Sequence, residues 1–255
     1  MNTITRNLTV SLAILSAMMF GNSGTKITGE FSSAIAVNDS TVSFTTPYTG
    51  VVLSGDNWEL STNLTDDGVT IEEAKYNWAI TDKVTATFGS QALPYGNAWG
   101  LHRPASNTFV SVPREHTVGN GVGISTSVYG VGIQTFYGND EYWAAKLSYS
   151  LWDQTFGLSV DGEEALLIDV SSKVDVVGFP ITASLEYDLS EEGDGAFWIR
   201  SVVTPEFAKG ASVLVGFNSD DEVTYGLGYK CSDRCYLSTE LSAEGDTMIR
   251  VSYSF

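Results

Sequence analysis

Both histidines of the chain lie in one irregular stretch, residues 92–117, together with two of the few basic residues. The side chains that offer chemistry there are His102, Arg103, Arg114, Glu115 and His116, in a chain with only 13 Lys and Arg. Arginine and histidine side chains hold anionic groups. The alternative is a solvated external lid whose arginines pair with local acids. If the stretch lies in the lumen, these residues are candidates for solute contact.

Catalysis is not indicated by the remaining motifs. A hydrolase needs a nucleophile, a histidine and an orienting carboxylate that converge in space. The chain has no nucleophile elbow, no phosphate-binding loop and no zinc-protease helix motif. We therefore expect no catalytic residues, no enzymatic activity and no cofactor.

The elements that must position these residues follow from an alternating pattern, clearest in Asp246 to Phe255. Ile249, Val251, Tyr253 and Phe255 alternate with polar residues. Successive side chains of a strand point to opposite faces, so one face is apolar and the other polar. The same pattern recurs through most of the chain and predicts an all-β protein.

The strand count predicts a closed barrel. We count about sixteen strands, with a range of twelve to eighteen, in an antiparallel order that suits a transmembrane β-barrel. Hydrophobic residues make up 43% of the chain and mean hydropathy is +0.01, too polar for a bundle of membrane helices. The barrel would be one domain over residues 25–255, with its apolar face outward and a wet lumen inside.

An export signal precedes the barrel. Arg6 is followed by an apolar run, Leu8 to Phe20, and then by small or polar residues. This order is that of a secretory signal peptide, and the run is shorter than the roughly 20 residues that a membrane-spanning helix needs. We assign residues 1–24 to the signal, with an uncleaved anchor as the alternative.

The two cysteines stand four residues apart. Cys231 and Cys235 lie in CSDRC between two strand patterns. Because an exported chain meets an oxidising compartment, we expect a disulfide across this turn. Two thiols without a nearby histidine supply half of a metal site at best, so no metal site is predicted. Acidic connectors could bind divalent cations, but none has EF-hand spacing.

The charge of the chain is −18, which argues against nucleic-acid binding. The connectors between strands alternate in character. One set is acidic (TDDG, GNDE, DGEE, SEEGDG, NSDDE, AEGD), and the other carries most of the connector bases (TDK, PEFAKG, CSDRC). This alternation predicts two barrel ends that face different surroundings, with the acidic connectors outside the cell.

Strand parity also selects charged residues for the polar, inward face. The predicted lumen-wall residues are Glu59, Glu73, Lys75, Lys146, Glu186, Arg200, Glu240 and Arg250. A charged ring at a constriction sets the ion preference of a channel. The acidic mouth favours cations, whereas a basic constriction would favour anions, so the pattern alone leaves the preference open.

Taken together, these features resemble a Gram-negative outer-membrane porin. The resemblance rests on the signal peptide, the alternating strands, the terminal SYSF and the single long loop after the fifth strand. It implies that Tyr253 and Phe255 belong to a signal read by the barrel-assembly machinery. It also implies that residues 92–117 fold into the lumen, with His102, Arg103, Arg114, Glu115 and His116 at the constriction. A homotrimer in the outer membrane, in contact with lipopolysaccharide, is the assembly that it implies.

Three functions remain open from the sequence. The first is a water-filled channel for passive diffusion of small hydrophilic solutes and ions. The second is a substrate-selective, anion-preferring channel, in which the loop arginines and histidines hold the solute. The third is a plugged structural or adhesive barrel whose acidic loops bind partners.

Overall fold

The computed structural model describes residues 24–38, 41–45, 49–65, 68–96, 117–162, 165–189, 195–241 and 247–254. Its strand segments are β1 (Lys26–Val37), β2 (Val42–Thr45), β3 (Thr49–Ser54), β4 (Trp58–Thr65), β5 (Gly68–Thr81), β6 (Val84–Ala92), β7 (Val118–Val128), β8 (Val131–Gly138), β9 (Trp143–Leu151), β10 (Gln154–Asp161), β11 (Leu166–Asp175), β12 (Pro180–Asp188), β13 (Ala196–Val203), β14 (Ala211–Asn218), β15 (Val223–Ser232), β16 (Cys235–Leu241) and β17 (Thr247–Ser254).

These segments form sixteen barrel strands, because β2 and β3 are two parts of one strand. β3 pairs with Lys26–Phe31 of β1, and β2 pairs with Ala34–Val37 of the same strand. The sequence predicts a bend at Pro47, between the two parts, but Pro47 lies outside the described residues. Every other strand pairs antiparallel with the next along the chain.

The sheet closes on itself where its first and last strands meet. β1 pairs with β17 over eight residue pairs, from Glu30↔Ser254 to Val37↔Thr247. Closure removes the unpaired edges that an open sheet would present, which is a requirement for a β-structure surrounded by hydrocarbon. The predicted closed antiparallel barrel of about sixteen strands is confirmed.

Burial alternates along the strands in the inverse of a soluble protein's pattern. In β17, Ile249, Val251 and Tyr253 are 46%, 49% and 47% exposed, whereas Arg250 and Ser252 are 1% and 5% exposed. The apolar side chains therefore stand on the outer surface and the polar ones face inward. A soluble barrel would bury the apolar set, so the outer face is built for an apolar surrounding.

The strand order places the two kinds of connector at opposite ends of the barrel. The six acidic connectors all join strands at the rim where β4 ends and β5 begins, here called the acidic rim. The three that carry bases join strands at the other rim, where β5 ends at Thr81 and β17 ends at Ser254. The alternation read from the sequence is thus a real separation of charge along the barrel axis.

Helical structure is confined to one short turn in the part of the chain that is described. It is a 3-10 turn at Asn139–Glu141, between β8 and β9. Within the same ranges, no helix has both the length and the apolar character needed to cross a membrane.

Candidate functional site: the lumen and its crossing segment

The chain enters the lumen as soon as β6 ends. The amide of Gly96 donates to Ser159 Oγ on β10 at 3.2 Å. Along the wall, β10 lies four strands from β6, about 19 Å at the usual spacing of about 4.8 Å. The four residues after Ala92 reach at most about 14 Å when extended. Leu93–Gly96, here called the crossing segment, therefore cuts across the lumen rather than following its wall.

An apolar cluster attaches the crossing segment to the wall. Leu93 and Tyr95 pack with Phe136 of β8 and Leu167 of β11, and all four are at most 7% exposed. Phe136 and Leu167 sit at inward positions, where the other residues of their strands are mostly small or polar. Burying these apolar side chains stabilises the segment by about 1.5–3 kcal/mol for each large residue.

Polar contacts hold the far end of the crossing segment. Lys146 Nζ donates to the carbonyl oxygen of Gly96 at 2.7 Å and lies 2.8 Å from Asp169 Oδ2. Gly96 has a φ of 69°, a left-handed conformation that glycine adopts readily. A Cβ at this position would overlap the Glu186 carboxylate. Glycine is therefore required here by both backbone conformation and space.

The predicted wall residues of β4 and β5 meet around Lys75. Its Nζ lies 3.1 Å from Glu59 Oε1 and 3.1 Å from Glu73 Oε1. Glu73 Oε1 also accepts the backbone amide of Ala92 at 3.1 Å, beside the start of the crossing segment. Two carboxylates around one ammonium leave this part of the wall negative.

A further ion pair lies at the barrel seam, where β1 and β17 meet. Arg250 Nη1 lies 3.8 Å from Glu30 Oε1, and Arg250 Nε donates to Ser238 Oγ at 3.4 Å. Glu30 and Arg250 are 5% and 1% exposed, so this pair is part of the packed wall rather than a group in open solvent.

The other predicted wall residues also occupy the inward positions of their strands. Glu186 and Glu240 are buried at 0% and 4% exposure. Arg200 is half-buried and pairs in register with Ser184 and Gly216. All eight residues selected by parity thus lie on the polar face, and their role in conduction is a proposal.

The predicted constriction residues His102, Arg103, Arg114, Glu115 and His116 lie outside the described residues. Phe255, of the predicted assembly signal, lies outside them too. Tyr253 is described and faces outward on β17, 47% exposed. Their roles stay predictions.

The turn between β15 and β16 carries the two cysteines. Both are free thiols in this structure, Cys231 exposed and Cys235 partly buried. The disulfide predicted from the sequence is therefore not formed here, and its formation in the exported protein stays a prediction. Beside the cysteines, Lys230 Nζ lies 2.9 Å from Asp233 Oδ1, which lowers the pKa of the Asp233 carboxyl through a hydrogen bond and through charge.

Several residues of the site are not predicted by the alternation of inward and outward side chains along the strands. The crossing segment has no strand pattern, and its hydrogen-bond partner Ser159 lies 63 positions away from Gly96 in sequence. Tyr142 lies between β8 and β9, and its hydroxyl donates to the buried Asp161 Oδ2 at 3.0 Å, a contact that alternation does not predict. Among the described residues, no group of three or more His, Cys, Asp or Glu side chains is arranged to hold a metal ion.

Comparison with known proteins gives the architecture. No family profile and no curated protein matches the chain. Among solved structures, the trimer form of OmpT, an outer membrane protein of Vibrio cholerae, has a TM-score of 0.63 at 11% identity, covering 92% of this chain and 100% of that one. A triple mutant of Rhodopseudomonas blastica porin has a TM-score of 0.62 at 10% identity, covering 91% and 100%. A loop-deletion mutant of the same OmpT has a TM-score of 0.59 at 12% identity, covering 91% and 99%. At these identities the likeness shows the fold: the chain is a sixteen-stranded barrel of the kind found in these outer-membrane proteins.

Proposed function

We propose that this protein is a non-enzymatic outer-membrane porin, a water-filled channel for passive diffusion of small hydrophilic solutes and ions. The observation that carries the proposal is the inverted polarity of a closed barrel. Its outer face exposes Ile249, Val251 and Tyr253, while its inner face holds charged side chains such as Arg250 and Glu73. An apolar outside suits hydrocarbon and a polar inside suits a channel for hydrated solutes.

The lumen charge favours cations over anions. On the described wall, Lys75 lies between two carboxylates, and Lys146 and Arg250 each lie beside a carboxylate. The acidic rim adds negative charge at one mouth. Fixed negative charge along the path raises the local concentration of cations. This supports a diffusion channel with a cation preference over the anion-selective alternative, whose residues lie in the loop.

Assembly and export complete the proposal. The similar OmpT structure is described as a trimer form, which supports a homotrimer here. We further propose that residues 1–24 are removed on export, that Tyr253 and Phe255 are read by the barrel-assembly machinery, and that lipopolysaccharide contacts the acidic rim. Sequencing the N-terminus of the protein from isolated outer membranes tests the export step: a chain that begins at Met1 contradicts it.

Planar-bilayer conductance of the purified protein tests the channel itself. We expect stepwise conductance, and a reversal potential under a salt gradient that has the sign of cation preference. A folded barrel, recognised by heat-modifiable gel mobility, that never conducts would contradict the channel and favour the plugged structural barrel. An anion-preferring reversal potential would favour the substrate-selective alternative.

Charge reversal tests the predicted constriction. If residues 97–116 narrow the lumen, the Arg103→Glu/Arg114→Glu variant should shift the reversal potential strongly towards cations, because two positive charges become negative where the path is narrowest. An unchanged reversal potential in a conducting variant would remove these residues from the constriction.

A further inference from the structure

One side of the lumen carries hydroxyl and amide groups in place of charges. A cavity of about 440 Å³ opens against β6–β11. Six of its lining residues, here called the hydroxyl wall, are Thr87, Ser125, Gln134, Ser148, Thr155 and Ser171. A second cavity, of about 540 Å³, lies toward the turns Asp82–Lys83 and Tyr129–Gly130 and shares Ser125, Gln134 and Ser148 with the first. The two form a continuous polar track toward the rim opposite the acidic one.

The sheet register brings these groups side by side. Ser125 pairs with Gln134, and Thr155 pairs with Ser171. Ser148 pairs with Gly132 on one side and with Gly157 on the other. A Cβ added at Gly132 would overlap Ser148 Oγ, so the glycine keeps the wall recessed beside that hydroxyl. Strand neighbours about 4.8 Å apart offer hydrogen-bonding groups at close, regular intervals.

These polar groups are available to a solute. Within the described part of the chain, the side chains of Ser125, Gln134, Ser148 and Ser171 make no hydrogen bond to protein atoms. Each serine hydroxyl both donates and accepts, and the glutamine amide does the same with two atoms. Gln134 is exposed to the lumen and the three serines are half-buried. Such groups exchange readily between water and a solute.

Charge does not dominate this side of the lumen. Among the described lining residues of the first cavity, the charged ones are Lys146 and Asp169, which lie 2.8 Å apart and neutralise each other. A charged solute would therefore gain little there. A neutral solute with many hydroxyls has donors and acceptors spaced to match the wall.

We infer that the hydroxyl wall is a binding track for neutral polyhydroxylated solutes, the chemical class of small sugars. The inference rests on the proposed channel and names the solute class that this channel favours. Each hydrogen bond exchanged with water contributes only about 0.5–1.5 kcal/mol net, so a few of them give weak binding. Weak binding suits transport, because a solute must enter readily and also leave.

Sugar block of single channels tests the inference. Ion current through the purified protein in a planar bilayer is titrated with maltotriose and, separately, with a polyethylene glycol of similar size. We expect saturable block by maltotriose and a reduction that follows viscosity for the polymer. Equal, unsaturable effects of both would overturn the sugar track while leaving the channel intact. Absence of any conductance would instead overturn the channel, and the track with it.

A matched pair of variants locates the site. Ser125→Ala/Ser148→Ala removes two hydroxyls that line both cavities, and should raise the half-blocking concentration of maltotriose about fivefold or more. Thr28→Val/Thr224→Val removes two hydroxyls at inward positions elsewhere on the wall, outside both cavities. This control should leave the half-blocking concentration unchanged. Equal shifts in both variants, or none in the first, would overturn the assignment.

Discussion

The lumen has two unlike sides. The hydroxyl wall on β6–β11 presents uncharged groups that are mostly without protein partners. Across the lumen, the charged wall comprises Glu30, Glu59, Glu73, Lys75, Arg200, Glu240 and Arg250, on β1, β4, β5, β13, β16 and β17. Its charges are paired and largely buried: Glu30, Glu73, Glu240 and Arg250 are each at most 5% exposed.

This difference separates two properties that the proposed channel requires. Paired, buried charges fix the shape of the wall and set its field, since they have little freedom to rearrange around a solute. Unpaired hydroxyls add no net field but can exchange hydrogen bonds with whatever passes. We therefore expect changes in the charged wall to alter stability and ion preference, and changes in the hydroxyl wall to alter sugar block.

The largest effect is expected from breaking the seam ion pair on the charged wall. Arg250→Met leaves the buried Glu30 carboxylate, 5% exposed, without its cation. Removing one partner of a buried pair typically costs about 3–5 kcal/mol. Urea unfolding in lipid vesicles, followed by tryptophan fluorescence, should show a lower free energy of unfolding by about that amount.

A double variant distinguishes loss of the Glu30–Arg250 ion pair from loss of the packing contacts of Arg250. Glu30→Gln/Arg250→Met removes both charges, so most of the loss should be recovered. If the double variant is as unstable as the single one, the arginine acts through its packing and its contact with Ser238. If Arg250→Met unfolds like the parent protein, the seam pair is not a fixed part of the wall.

A smaller effect is expected at Lys146 of β9, which lines the cavity of the hydroxyl wall. Lys146→Met removes both the contact to the Gly96 carbonyl and the one to Asp169, at 2.7 and 2.8 Å. Hydrogen bonds to charged groups contribute about 1.5–3 kcal/mol, so the crossing segment should be held less firmly. We expect noisier open-channel current with the barrel still folded. Lys146→Met/Asp169→Asn controls for the carboxylate left behind, and equally quiet current in all three proteins would contradict the anchoring role.

A smaller effect, confined to ion preference, is expected from a change at Lys75 on the charged wall. Lys75→Gln leaves Glu59 and Glu73 without their shared ammonium, so the ratio of cation to anion permeability should rise. Two charges about 4 Å apart in water interact by about 1 kcal/mol. This energy corresponds to an increase of about two- to fivefold in the ratio of cation to anion permeability. The reversal potential under a salt gradient measures this ratio.

Gln134→Leu, on the hydroxyl wall, should weaken sugar block and leave the reversal potential unchanged. A shifted reversal potential with unchanged sugar block would contradict the difference between the two walls.

Period-two alternation predicts much of this architecture. It assigns β17, β12 and the second half of β5 to their correct faces, because a strand side chain has only two directions. It fails where the period breaks. Ser61 pairs with Glu73 but Thr62 pairs with Ile71, so Glu72 is an extra residue in the ladder. Its Oε2 accepts from Ser61 Oγ at 3.2 Å, a contact that alternation does not predict.

The crossing segment shows the other limit. Leu93 and Tyr95 read as loop residues, and nothing local indicates that they pack against Phe136 and Leu167. Gly96 meets Ser159 across 63 positions of sequence. Such contacts depend on how the closed barrel brings distant strands together, so they follow from the fold rather than from any pattern within a segment.

The smallest effect is expected at the exposed pair in the turn below the charged wall. Lys230 lowers the pKa of Asp233 below its ordinary value of 3.8. A lowered folded-state pKa gives stabilisation above the ordinary value that is lost as pH falls through the lowered one. Because the Asp233 side chain is 98% exposed, solvent screens the pair and its share of stability should be unmeasurable. A carboxyl titration by NMR in detergent micelles should therefore show a lowered midpoint for Asp233, and this midpoint should return to the ordinary range in the Lys230→Met variant. The parent protein and the variant should nevertheless unfold at the same urea concentration. A clear loss of stability in that variant would mean that exposed pairs, as well as the buried seam, hold the charged wall together.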